Sequence, residues 1–182
     1  MKLKLSLFLQ ITVLSLILVL AGCAPKAPAP ESTPDVKTSA SIVDNSDAFI
    51  KAISSKGTWI IALTKDITVD KDISLEGEFK NGKKDEKGND IIQRKIALYA
   101  QDENRNVTAR YTLTAPKLTI LSPEASIVNG TFKGDIYVSA KDFQLIGTKV
   151  DGNVYFTNEE AKSTFKKDDK STITGKTELK KE

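Results

Sequence analysis

The stretch Val128-Asn129-Gly130-Thr131-Phe132-Lys133-Gly134-Asp135-Ile136-Tyr137-Val138 is answered 18 positions later by Ile146-Gly147-Thr148-Lys149-Val150-Asp151-Gly152-Asn153-Val154-Tyr155-Phe156. Val stands over Ile, Phe over Val, Gly over Gly, Asp over Asn, Ile over Val and Tyr over Tyr. One step further back, Ala115-Pro116-Lys117-Leu118-Thr119-Ile120 falls in the same register, with Pro116 where the turn glycine stands. An apolar-polar-apolar strand behind a turn residue, recurring at constant spacing, predicts units that stack like on like. Alternate residues of a strand point to opposite faces, so Ile136, Val138, Val154 and Phe156 are expected to share one interior.

The same style extends upstream. Thr58 to Leu63 is a near-continuous apolar run, and Ile67-Thr68-Val69 and Ile73-Ser74-Leu75 alternate, with Asp66, Asp70 and Asp72 at the corners. Before them, Asn45 or Ser46 can start a short helix, with Asp47 in its first turn, Phe49, Ile50, Ala52 and Ile53 along one side and Gly57 as the stop. A stack of repeats needs its exposed end covered, and this helix is expected to cover it.

The helix-then-strand order, with Trp59-Ile60-Ile61-Ala62-Leu63 followed by Asp66-Ile67-Thr68-Val69, resembles the opening of right-handed parallel β-helix proteins of the pectate-lyase-like type. The resemblance covers residues 46–79 as a motif and 57–165 as a repeat style. It implies a mainly β fold: a single-stranded right-handed parallel β-helix with a short N-terminal capping α-helix. About 110 residues at 18 to 23 per turn give about five coils. The expected organisation is a capping helix over 43–56, a β-helix domain over 57–165, and a polar tail over 166–182 in which Ile173 and Leu179 can add one last weak coil.

Two polar excursions interrupt the strands, Lys80 to Asp90 and Gln101 to Asn106. Insertions in repeat folds leave the stack as surface loops, and loops disproportionately carry binding. Lys83, Lys84, Asp85, Glu86 and Asp90 are therefore the candidate contact loop. Asp85, Glu86, Asn89 and Asp90 are oxygen donors of the kind that hold Ca²⁺. They lack the spacing of a calcium loop and are diluted by Lys83, Lys84 and Lys87, so a solvated charged loop is expected and no metal or cofactor is assigned.

The amino terminus has its own pattern. Lys2 and Lys4 precede an apolar run from Leu5 to Leu20, and small residues then lead to a cysteine. These are the parts of a secretory signal. Leu20-Ala21-Gly22-Cys23 resembles the lipobox of bacterial lipoproteins, which implies a signal peptide over 1–22, cleavage before Cys23 and a lipid on Cys23. Cys23 is the only cysteine of the 182 residues, so acylation also accounts for a lone exported thiol. Residues 23–42 hold four of the six prolines, Pro25, Pro28, Pro30 and Pro34, and read as a flexible linker.

Composition narrows the chemistry. The chain is 40% hydrophobic and 28% charged with a net charge of +3; removing Lys2 and Lys4 leaves 27 − 2 = 25 basic against 24 acidic side chains, a balance of +1. That is not the footprint of a nucleic-acid-binding protein. The sequence has no histidine, which excludes Ser-His-Asp and Cys-His nucleophiles within it. Arg94, Arg105 and Arg110 with Asp102 and Glu103 broadly resemble the basic and carboxylate groups of β-helix polysaccharide lyases. No lyase motif matches residue by residue, so no catalytic residue is assigned.

The expected protein is a non-catalytic surface lipoprotein, held on the extracytoplasmic side of the cell membrane through lipid on Cys23. Its β-solenoid would bind cell-wall glycan or an envelope protein and no nucleic acid. Two alternatives stand beside it: a polysaccharide-binding or lyase-like β-helix protein, and a polymer-forming scaffold resembling bactofilins, against which the capping helix and polar tail argue.

Overall fold

The computed structural model describes residues 40–180, and Cys23 with its surroundings lies outside the described residues. In chain order the elements are β1 (Ala40–Val43), α1 (Ser46–Ile53), β2 (Ile60–Leu63), β3 (Ile67–Thr68), β4 (Ile73–Leu75), β5 (Lys80–Lys84), β6 (Asp90–Ile92), β7 (Arg94–Ala97), β8 (Tyr99–Gln101) and β9 (Val107–Arg110). There follow β10 (Thr112–Ile120), β11 (Ala125–Val128), β12 (Thr131–Val138), β13 (Gln144–Ile146), β14 (Lys149–Asp151), β15 (Val154–Phe156), α2 (Glu159–Thr164), β16 (Lys166–Lys167), β17 (Thr172–Ile173) and β18 (Thr177–Leu179).

The protein is mainly β, built on two parallel sheets. One has the order β1-β2-β7-β11-β13-β16; the other joins β3 and β4, then β10, β12, β14 and β15, then β17 and β18. Every pairing within these two sheets is parallel. β1 leads through α1 to β2 of the same sheet; from there the chain alternates between the sheets, from β2 to β3 and β4, from β7 to β10, from β11 to β12, from β13 to β14 and β15, and from β16 to β17 and β18.

The ladder keeps the register read from the repeat: Val128 pairs with Ile146, Phe132 with Val150, Ile136 with Val154 and Tyr137 with Tyr155. Inward columns therefore run like on like, as in Ile67, Leu113, Phe132, Val150 and Ile173, or Leu75, Ile120, Val138, Phe156 and Leu179. Their central members are fully buried and form one continuous core. At about 25 cal/mol per Å² of apolar surface, this interior is the main favourable term in folding.

The turn glycines carry a packing duty. Thr114 pairs with Lys133 and Lys117 with Asp135, so Ala115 and Pro116 together oppose Gly134, a bulge that accommodates the proline's missing donor. A Cβ on Gly134 would lie 1.8 Å from the Ala115 carbonyl oxygen, and one on Gly152 would lie 2.0 Å from that of Gly134. Backbone stacks on backbone there, and only glycine permits the approach.

Several boundaries differ from the sequence expectation. Strand β1 (Ala40–Val43) overlaps the end of the stretch read as linker, because it pairs with β2 and buries Val43. The helix spans Ser46–Ile53; Asn45 caps it, its side chain accepting from the Ala48 N–H at 2.9 Å. Its end is at Ser54 in extended conformation, so Gly57 is not the stop. A Cβ on Gly57 would lie 1.9 Å from the Ala52 carbonyl, and that contact explains the glycine. The stretch from 166, expected as a polar tail in which Ile173 and Leu179 can add a last weak coil, forms β16, β17 and β18, and those two residues pack against the core. Helix α2 was not anticipated. Asn158 caps it by accepting from the Ala161 N–H at 2.8 Å, and Ala161 is its one buried residue.

Candidate functional site

Both interruptions of the repeat are antiparallel hairpins, β5 with β6 and β8 with β9. The layers continue in register across them: β2 pairs directly with β7, and β7 with β11. Each hairpin stands beside a cavity.

The first cavity, of about 390 Å³, is lined by Glu78, Asp85, Asp90, Ile91, Ile92, Pro123, Glu124 and Lys141. Of the candidate contact loop, Asp85 and Asp90 reach it; Lys83, Lys84 and Glu86 do not line it. Asp90 is gripped by Lys80 Nζ at 2.6 Å and Lys84 Nζ at 3.1 Å. The hydrogen bond from Lys80, then that from Lys84, holds the Asp90 carboxyl below its ordinary range. Asp85 organises the turn, accepting from the Lys87 N–H, the Asn89 N–H and Asn89 Nδ2. Those bonds, with the Asn89 side chain foremost, lower its carboxyl too. Both carboxylates thus serve the hairpin's own shape.

Glu124 was missed by the sequence reading, which attended to the loop alone. Burial first, and then the negative charge of Asp142, pushes its carboxyl above the ordinary value. The two acids lie 18 positions apart, and both adopt left-handed backbone, φ 52° and 58°. The repeat spacing was the signal that could have paired them.

The second cavity, of about 530 Å³, sits at the foot of the β8–β9 hairpin and is lined in part by Arg110, Tyr111, Asn129, Lys149 and Lys170. Arg110 Nη1 donates to Asn129 Oδ1 at 2.7 Å. The three arginines singled out in the sequence do not converge on one task. Arg105 lies in the hairpin turn with φ 66°, and Asp102 caps that turn by accepting from Asn106 N–H and Nδ2. Arg94 is fully buried, donating to the carbonyls of Thr58 at 2.6 Å and of Ala52 and Ser54 at 2.9 Å each. Its guanidinium lies 3.8 Å from the Phe79 ring centroid. Burial lowers its pKa to about 10, so it stays charged at neutral pH, where it caps the carboxy-terminal end of α1.

The outward tyrosines form a third feature. Tyr137 and Tyr155 pack tilted at 48° with centroids 5.0 Å apart; Lys117 Nζ lies 4.6 Å from the centroid of the Tyr137 ring and Lys180 Nζ 4.7 Å from that of Tyr155. Lysine ammonium groups therefore already engage these rings.

No protein-family model, no curated protein and no solved structure matches the chain.

Proposed function

We propose that the protein is an envelope lipoprotein, held on the extracytoplasmic side of the cell membrane through lipid on Cys23. Its β domain is a right-handed parallel β-helix of about five coils, and it acts as a non-catalytic binding module for a cell-wall glycan or an envelope protein. The parallel register at 18-residue spacing, the continuous apolar interior and the helix α1 packed on that interior support the solenoid reading. The Leu20-Ala21-Gly22-Cys23 stretch supports the anchor.

One observation carries the binding reading. Both hairpins leave the stack without disturbing it, and each borders a cavity with charged walls. A scaffold that keeps its register across insertions is free to vary them, and such surface elements commonly carry recognition.

The anchor is tested by substituting Cys23→Ala in the full chain. The variant should accumulate as an uncleaved precursor or leave the membrane fraction; normal processing and unchanged fractionation would overturn the anchor. The module is tested by co-sedimentation of the full chain with isolated cell walls.

A further inference from the structure

The corner before each second-sheet strand recurs through four layers. Thr112, Thr131, Lys149 and Thr172 stand in register there, each followed by an inward apolar residue. The larger cavity opens beside this column, and three cations line it: Arg110, Lys149 and Lys170. No Asp or Glu lines it. Asp66 and Asp168, from the same corner, accept instead from the backbone N–H groups of Thr112 and Gly147.

Three details make this a shaped notch. Arg110 is oriented by its bond to Asn129 Oδ1. The floor is Gly130 and Gly147, both at positive φ, and a Cβ on Gly130 would lie 2.4 Å from the Tyr111 carbonyl oxygen. Half-buried Tyr111 and exposed Val107 give it an apolar wall.

The cations are spread along the stack. From the β10 corner beside Arg110 to the β17 corner beside Lys170 is three layer steps, roughly 14 Å at about 4.8 Å per strand. That is a backbone spacing, along which Arg110 reaches one layer on to Asn129; the three cations come from three different layers and suit a ligand that repeats its charge. We propose that the notch binds a linear anionic wall polymer with a phosphodiester or carboxylate in each repeat unit, laid along the stacking axis. This rests on the binding-module reading and assigns its ligand class and site. Guanidinium and ammonium groups suit either anion, Arg110 by paired donors and the lysines as point charges.

The test is titration of the full chain with poly(glycerol phosphate), polygalacturonate, neutral dextran and a single-stranded oligonucleotide of similar length, at low and high salt. One of the first two should bind at least tenfold tighter than dextran or the oligonucleotide, weakening with salt; whichever wins names the anion. The triple variant Arg110→Gln, Lys149→Gln, Lys170→Gln should lose at least tenfold in affinity while melting like the parent. A charge-matched control, Lys51→Gln, Lys56→Gln, Lys71→Gln, should bind like the parent. The site is overturned by equal losses in variant and control, by an unaffected triple variant, by preference for the oligonucleotide, or by no polyanion binding. Continued sedimentation of the triple variant with isolated cell walls would sink the site alone. Absence of parent sedimentation and of all polymer binding would sink the module reading with it.

Discussion

At the scale of single residues, the interior and the corners contribute differently to stability. Ile136 and Phe156 are buried, and truncating either to Ala should cost roughly 2 to 5 kcal/mol through lost burial and the cavity left behind. Asp135 and Asn153 add nothing to the core, and the repeat alone expects their truncation to matter little. The structure raises that expectation. Asn153 donates through its N–H and Nδ2 to Asp135 Oδ1, and its own Oδ1 accepts from the Lys176 N–H at 2.8 Å, a polar ladder across three layers. Asn153→Ala should therefore cost about 1 kcal/mol for each bond left unmade, less than the core truncations but measurable. Urea midpoints of the four Ala variants decide the matter. Small and equal losses at all four would remove the shared interior.

At the scale of elements, the β5–β6 hairpin is held by its own bonds. Lys80 and Lys84 pair with Asp90, and Asp85 ties its turn. Between Asn81 and Asn89 the hairpin has no aliphatic or aromatic residue, while Ile91, Ile92 and Phe79 flank that stretch. Replacing residues 81–89 by a short Gly-Ser turn should shift stability by about a kcal/mol or less, since closing a loop costs only logarithmically in its length. Thermal unfolding with Ca²⁺ and with EDTA checks this. A large loss would contradict the hairpin's dispensability, and a calcium-dependent midpoint in the parent that the replacement abolishes would contradict the view of Asp85 as a structural carboxylate. Helix α1 was legible because its cap and apolar side fit the helical period. Helix α2, six residues long with one buried side chain, is too short to show a period.

At the scale of the whole molecule, pH acts with two opposite signs. Asp85, Asp90, Asp102 and Asp168 are held below their ordinary value of 3.8 in the folded state by hydrogen bonds, foremost from Asn89, Lys80, Asn106 and Ser171. Their stabilisation is present above pH 3.8 and is lost as pH falls through the lower folded values. Glu124 is held above its ordinary 4.5 by burial and Asp142, so folding favours its protonated form. Its effect weakens the fold as pH rises from 4.5 through the raised value. On acidification from neutral pH, stability should first rise slightly and then fall below 3.8. Glu124→Gln should remove the rise, and Asp168→Asn should soften the fall. Urea midpoints between pH 7 and 3 provide the check. A parent and a Glu124→Gln variant that decline identically from neutrality would show the carboxyl to be unperturbed.

The sequence by itself determined the 18-residue register from Leu118 to Phe156, the inward faces of those strands and the helix α1. Each is written in local periodicity: alternation decides which face a strand residue occupies, and a constant spacing decides which residue lies over which. The corners that hold glycine were legible for the same reason, though not the backbone contacts that demand it at Gly134 and Gly152. The tertiary structure alone decided the role of Arg94, which caps a helix whose last carbonyl partner lies 42 residues earlier in the chain. It alone gathered Arg110, Lys149 and Lys170 around one notch, and Glu78, Pro123 and Glu124 around another. These groupings join side chains from different layers. Such neighbours are set by where each hairpin leaves the stack and where the chain re-enters it, and no repeat of residue types records that path.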